Sequence, residues 1–255
     1  MAETTHNLSL EEMDKQSLLH PSTSFADHAK GTPRIVETGK GIFIKDSKGT
    51  ELMDGFGGLY CVNIGYGRDE MAEAIYEQAK KLAYYHVYAS HSNEPLIRLA
   101  DRVVRMAPAN MQKVYFGLSG SDANETNSKL LWYYNNLRGM PEKKKIISRL
   151  RGYHGSTVFA GSLTGLPLFH NHFNLPLGPV LHARTAHYYW GAEPGQTERE
   201  FSQQLAAELD AMIEKEGPET VAGFIGEPVM GTGGILPPPE GYWEEIQKVC
   251  RKHDV

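Results

Sequence analysis

Three short stretches carry the side chains that could do chemistry. They are Ser119-Gly-Ser121 within Lys113–Thr126, Arg151-Gly-Tyr-His-Gly-Ser156, and Glu227-Pro-Val-Met-Gly-Thr-Gly-Gly234. The first follows a β-type run, Val114-Tyr115-Phe116, passes Gly117 and Gly120, and opens a helix near Ser121. Glycines let the backbone turn tightly and approach a ligand. Ser119 or Ser121 is a plausible N-cap, and Asp122 and Glu125 place negative side chains near the positive end of the helix dipole. Free N–H groups at a helix start attract anions, so this turn reads as a phosphate cradle. It is neither a dinucleotide G-x-G-x-x-G loop nor a Walker loop. A hydrolase elbow around Ser119 needs glycine where Ser121 stands, so that reading fails at one position.

The other two turns follow β-type runs at Lys145–Arg149 and Val221–Gly226. Open α/β sheets bind ligands beyond the carboxyl ends of their strands. Tyr153 would offer an aromatic face, His154 an imidazole and Glu227 a carboxylate. Each also has a plain structural reading: a core aromatic, a satisfied turn histidine, a cap ahead of Pro228. Recurrence at three strand ends favours one shared site. A second cluster, His170-Asn-His172 with His182 and His187, has no cysteine and no flanking carboxylate, and reads better as a solvated loop than as a metal site.

These residues need a scaffold, and the periodicities supply one. Residues 1–10 read as a tail, and Ser9–Leu19 as a short helix with a capping box from Ser9 to Glu12. Three β-type runs, 34–37, 41–45 and 51–56, are separated by turn residues and predict an antiparallel meander. Helices are expected at 68–82, 95–106, 121–138, 197–216 and 240–252. Apolar stripes support them: Leu96, Ile97, Ala100, Val103 and Val104 in one, Phe201, Leu205, Leu209, Met212 and Ile213 in another. The last helix turns Tyr242, Trp243, Ile246, Val249 and Cys250 inward. Strands alternating with helices argue an α/β fold with a largely parallel sheet.

At 255 residues the chain has ample length for a core. With 26 basic and 31 acidic residues it lacks the charge excess of a nucleic-acid or anionic-membrane binder. Only Cys61 and Cys250 occur, far apart, which suits a reducing cytosol. There is no signal-peptide pattern and no run long enough to span a bilayer. The expected location is cytoplasmic.

Ser119-Gly-Ser-Asp-Ala-Asn-Glu-Thr126, Tyr153-His-Gly-Ser156 and Glu227-Pro-Val-Met-Gly-Thr-Gly-Gly234 together resemble the front motifs of class III aminotransferases, in their omega-transaminase branch. Asp54-Gly-x-x-Gly-Leu59 and Cys61-Val-Asn-Ile-Gly-Tyr-Gly-Arg68 are similar to that branch too, and the resemblance runs from about His20 to Val255. It implies the aspartate-aminotransferase-like fold (PLP fold type I): a cofactor domain at 61–255, incomplete at its carboxyl end, preceded at 1–60 by part of a small α+β domain. It implies pyridoxal 5'-phosphate, with Gly120 and Ser121 on the phosphate, Ser119 shaping the turn, Tyr153 stacked on the ring, His154 packed beside it and Glu227 near the ring hydroxyl. Ser22, Tyr60 and Tyr88 fall where the family lines its substrate pocket, Tyr88 reaching across a homodimer interface. Many omega-transaminases carry Trp at the Tyr60 position and Phe at the Ser22 position, so a roomier, more polar pocket is expected.

The implied reaction moves an amino group from an amine or omega-amino acid to a 2-oxo acid such as pyruvate. The family's Asp for the pyridinium nitrogen and its Schiff-base Lys would lie beyond Val255. Lys113, Lys129 and Lys143–Lys145 are out of that context and read as surface charges. The chain is therefore expected to be the front part of a longer enzyme, inactive by itself. The rival readings are a non-catalytic fragment that binds cofactor phosphate or a partner, and a hydrolase using Ser119.

Overall fold

In the computed structural model residues 8–255 are described; the first seven residues of the expected tail lie outside them. The chain forms two compact units that divide between Asp101 and Arg102.

The amino-terminal unit begins with α1 (Leu10–Ser17), whose start is set by a reciprocal capping box: Ser9 Oγ accepts from Glu12 N–H, and Glu12 accepts from Ser9 N–H at 2.7 Å. A turn leads to α2 (Phe25–Lys30), capped by Ser24. The expected meander follows as β1 (Val36–Lys40), β2 (Phe43–Asp46) and β3 (Glu51–Met53), antiparallel and in that order. Then come a single turn, α3 (Gly57–Tyr60), and α4 (Asp69–Lys81). The unit boundary falls within the next helix, α5 (Glu94–Met106). The predicted apolar stripe of α5 is only partly covered: Leu96, Ala100 and Val104 are half-buried, Ile97 is 57% exposed, and no residue of the helix is fully buried.

The carboxy-terminal unit is a three-layer α/β structure. Its strands are β4 (Lys145–Arg149), β5 (Val180–Ala183) and β6 (Val221–Phe224), parallel and ordered β5-β4-β6. Helices α6 (Gly120–Leu137), α7 (Val158–Leu163), α8 (Tyr188–Gly191), α9 (Glu198–Glu216) and α10 (Tyr242–Lys252) complete it. Alternation along β4 separates two cores. Ile147 packs with Phe201, Leu205, Leu209 and Ile213 of α9 and Tyr242 and Ile246 of α10, so the two predicted stripes cover one face. Ile146 packs the other way, with Leu163 of α7, Val180 and Leu131 of α6. Deleting a buried leucine such as Leu209 costs about 2–5 kcal/mol, because the cavity collapses only in part.

Several expectations need correction. Val114-Tyr115-Phe116 is not a strand: a strand exists through its ladder, and no strand among the described residues pairs with this run, which leaves Tyr115 63% exposed. Val180–Ala183, unread in the sequence, is a strand on the edge of the sheet. Lys143 is not a surface charge. It is 2% exposed and its Nζ donates to Pro218 O at 3.1 Å and His253 O at 3.2 Å, while burial pulls its pKa down. Lys145 donates to Glu216 at 2.9 Å.

Candidate functional site

The site forms where three turns of the carboxy-terminal unit meet, two of them at the carboxyl ends of β4 and β6. At the first, Ser119 is the N-cap of α6: its Oγ accepts from Asp122 N–H at 3.1 Å. Asp122 in turn accepts from Leu118 N–H at 2.9 Å, which pins the turn from both sides. A hydroxyl engaged as a cap in this way is holding a helix start. The N–H groups of Gly120 and Ser121 precede the first intrahelical bond, Ala123 N–H to Ser119 O, and so have no partner within the helix. A Cβ placed on Gly120 would meet nothing within 4 Å, so the approach to those donors is open.

The second turn is bound to the first. Ser156 N–H donates to Ser121 Oγ at 3.1 Å, and Asn124 Nδ2 donates to His154 O at 2.7 Å. Gly155, at φ +134°, lets these segments touch: a Cβ there would lie 2.5 Å from Ser121 Oγ. Glu125 was expected to act on its own helix dipole. Its carboxylate instead accepts from Thr157 Oγ1 at 2.6 Å and from the N–H groups of Phe159 and Ala160 at 3.2 and 3.3 Å, so it caps α7.

The third turn closes the site through Glu227. Its Oε1 accepts from Tyr153 N–H at 2.9 Å and its Oε2 from Gly231 N–H at 2.8 Å. One carboxylate therefore ties the loop after β4 to the loop after β6. Arg149, buried at the end of β4, donates to Glu227 O at 2.5 Å and lies over the rings of Tyr242 and Trp243. Arg151 donates to Gly233 O at 2.9 Å and covers Trp190. The half-buried Tyr153 ring rests against Phe169 at 5.2 Å.

His154 sits beneath this surface, 6% exposed. Its N–H donates to Thr164 Oγ1 at 2.9 Å, and Thr164 Oγ1 donates on to Gly155 O at 2.9 Å. Burial, helped by the Arg149 and His182 charges, pushes the imidazole pKa down to about 4, so the ring is neutral at physiological pH. Its Nε2 has no hydrogen-bond partner among the described residues.

The structure thus brings together six of the sequence-derived residues, Ser119, Gly120, Ser121, Tyr153, His154 and Glu227. Ser22, Tyr60 and Tyr88 belong to the amino-terminal unit and are exposed on separate turns, with Ser22 at φ 51° and Tyr60 at φ 65°. Sequence reasoning missed the ties: Asn124, Glu125, Thr164, Arg149 and Arg151. The first two lie inside the quoted Ser119–Thr126 motif, but their partners are some thirty residues away. The histidine cluster is not a solvated loop throughout. His182 is on β5 with Nε2 against Thr164 O at 3.2 Å, and His170 Nε2 meets Gly161 O at 3.0 Å.

The residues fit a phosphate-bearing planar cofactor. Two outward N–H groups and an open approach suit a dianion, Ser121 Oγ keeps its proton to donate, and Tyr153 offers a flat ring.

Comparison with known proteins places the chain in a family. The pattern of the aminotransferase class-III family matches residues 24–255. The chain is 61% identical, over 96% of its length and 53% of the relative's, to an uncharacterised aminotransferase of Sinorhizobium fredii. It is 57% identical to the diaminobutyrate–2-oxoglutarate transaminase of Halomonas elongata, over 99% of this chain and 54% of that one. Among solved structures it resembles the omega transaminase of Pseudomonas jessenii in complex with PMP, with TM-score 0.95 and 46% identity, over 97% of this chain and 55% of that chain. The chain spans about half the length of the curated relatives it matches. The family is pyridoxal-phosphate dependent, and the fold is PLP fold type I. The chain belongs to the class-III aminotransferases.

Proposed function

We propose that the whole protein is a pyridoxal-phosphate-dependent transaminase, and that this chain supplies the phosphate cradle and one wall of its cofactor site. The observation that carries the reading is the joining of three turns through Ser121–Ser156, Asn124–His154 and Tyr153–Glu227. In this reading the N–H groups of Gly120 and Ser121 and the Ser121 hydroxyl hold the phosphate, with Ser119 fixing the turn. Tyr153 stacks on the pyridine ring, and the half-buried Glu227 carboxylate accepts from the ring-hydroxyl side while holding both loops. His154, neutral and buried, fills the floor without adding a charge that would repel the pyridinium. The bound cofactor supplies the electron sink that lets a carbon next to nitrogen lose its proton.

The donor is an amine or omega-amino acid and the acceptor a 2-oxo acid such as pyruvate. The diaminobutyrate–2-oxoglutarate transaminase relative supports an omega-amino acid donor and makes 2-oxoglutarate the next acceptor to try. Exposed Ser22, Tyr60 and Tyr88 line the substrate pocket of the assembled enzyme, a cytoplasmic homodimer in which Tyr88, 83% exposed in this chain, reaches across. Its Schiff-base lysine belongs to the part of the relatives' length that this chain does not span. Among the described residues no helix is long and apolar enough to cross a membrane.

The test is an absorbance titration of the whole protein with pyridoxal phosphate, followed by a donor and acceptor panel. A Schiff-base band that bleaches on adding an omega-amino acid and recovers with a 2-oxo acid is the expected result. Absence of the band, or a band that no amine bleaches, overturns the proposal.

A further inference from the structure

A second constellation of metal-ligating side chains lies in the amino-terminal unit, at residues the cofactor site does not use. Asp14 stands near the end of α1, His20 in the following turn and His28 in α2. His20 Nε2 lies 3.0 Å from both oxygens of Asp14, and His28 Nε2 lies 2.9 Å from Asp14 Oδ1. The three ligand atoms are within 4.8 Å of one another. The two imidazole rings are tilted by 49°, with centroids 4.5 Å apart.

An ordinary charge-stabilised hydrogen-bond cluster does not account for all of this. His28 Nε2 is buried and near the carboxylate, yet is not aligned for a hydrogen bond to it or to any other described group. A nitrogen so placed has its lone pair, or its proton, without a partner, which destabilises a buried polar group. Both Nε2 atoms lie within 3.0 Å of one carboxylate, and that of His28 is directed away from the oxygen beside it, so two imidazoles and an oxygen are gathered as they are around one ion. Tetrahedral zinc, with bonds of about 2.0–2.1 Å, separates its ligand atoms by roughly 3.3–3.4 Å. The spacings here differ from that by a few tenths of an ångström on the aspartate side, within the reach of side-chain torsions. His20 and His28 also line a cleft of ≈ 230 Å³, where water or a small anion can complete the coordination.

There is also something for an ion to do. Helices α1 and α2 are eight and six residues long, and neither has a buried residue. Helices this short do not hold themselves in water, and with no apolar core they need another link. We propose that Asp14, His20 and His28 form a binding site for a divalent transition metal, zinc in the first place, that staples α1 to α2. Two imidazole nitrogens and one carboxylate are a donor set that zinc accepts, with a fourth position left for water. The site is independent of the transaminase reading.

The test uses the whole protein, freed of metal by dialysis against a chelator and titrated with Zn²⁺ against a chromogenic competitor. One equivalent should bind, and His20→Ala and His28→Ala should each weaken it at least tenfold. His172→Ala, which touches only the other histidine cluster, should leave it unchanged. Co²⁺ should give the intense visible absorption of a tetrahedral site, and Zn²⁺ should slow proteolysis within residues 18–24. Circular dichroism checks that the variants fold, and the wild-type Co²⁺ spectrum stands even where one does not. Failure of wild-type protein to bind Zn²⁺ overturns the proposal, as does equal affinity in folded His28→Ala, or an octahedral Co²⁺ spectrum.

Discussion

Replacing Glu227 by glutamine separates the two things its carboxylate does, which are to carry charge and to accept from two loops at once. In the native protein Oε1 accepts from Tyr153 N–H and Oε2 from Gly231 N–H, at 2.9 and 2.8 Å. Glutamine keeps the shape but has one acceptor oxygen. Its amide nitrogen must then face the other backbone N–H, donor against donor. The retained bond drops from a charge-assisted value of about 1.5–3 kcal/mol to a neutral one of about 1, and the opposed N–H loses its partner at about 1–3 kcal/mol. Because the site is half-buried and water can reach part of it, a net loss of about 2–4 kcal/mol is expected. If Tyr153 loosens with its loop, about half of that should pass into cofactor binding, a roughly 5- to 30-fold weaker pyridoxal phosphate complex. The assay pairs denaturant unfolding of the cofactor-free whole protein with a fluorescence titration of pyridoxal phosphate, for wild type, Glu227→Gln and Glu227→Ala. Alanine should cost no more than glutamine, since it admits water to both N–H groups. A glutamine variant within about 0.5 kcal/mol of wild type, with cofactor affinity within twofold, would refute the tie between the loops.

Two further perturbations read the same site. His154 titrates near 6.5 unfolded and at about 4 folded, so its contribution is complete above pH 6.5, is lost as pH falls from there toward 4, and levels off below; the difference amounts to about 3 kcal/mol. Stability measured between pH 7 and pH 4 should therefore fall less steeply in His154→Asn than in wild type, and parallel curves would argue against a buried neutral imidazole. Gly155→Ala must take φ +134° and set a Cβ 2.5 Å from Ser121 Oγ and 2.8 Å from Ala160 Cβ. About 2–5 kcal/mol of strain and overlap should push Ser156 off Ser121, lowering both the unfolding midpoint and the affinity for inorganic phosphate; a variant equal to wild type in both would contradict the close approach.

What could be read from the sequence was set by how local its cause is. The capping box at Ser9 and Glu12 and the stripes of α9 and α10 are complete within a few residues of themselves, and they fold as their patterns say. Val114-Tyr115-Phe116 has the same intrinsic β preference as a real strand, but a ladder needs a second strand, and the run finds none among the described residues. Val180–Ala183 has the opposite history. Four residues after a proline carry too little pattern to announce a strand, and β4 makes them one by pairing with Ile146 through Arg149. Lys143 looked like any surface lysine because the carbonyls that hold it come from Pro218 and His253.

The same distinction runs through the site. In a parallel sheet every strand delivers its carboxyl end to one side, so the turns after β4 and β6 that carry Tyr153 and Glu227 must gather there, and the helix start at Ser121 joins them through its bond to Ser156 rather than through a strand of its own. What holds them in place could not be read, because most of it is backbone. Glu227 accepts from two main-chain N–H groups, a role no local pattern announces, and Glu125, read as a helix-dipole charge, caps a different helix. Any carboxylate of that length would satisfy the chemistry of either position, and only the fold says which donors stand in reach. The three turns are joined by their own bonds: the start of α6 is tied to the Tyr153 turn by Ser121 and Asn124, and that turn to the third loop by Glu227. Substitutions that leave every ligand-facing atom in place but cut one of those ties should therefore weaken binding as much as substitutions in the cradle itself.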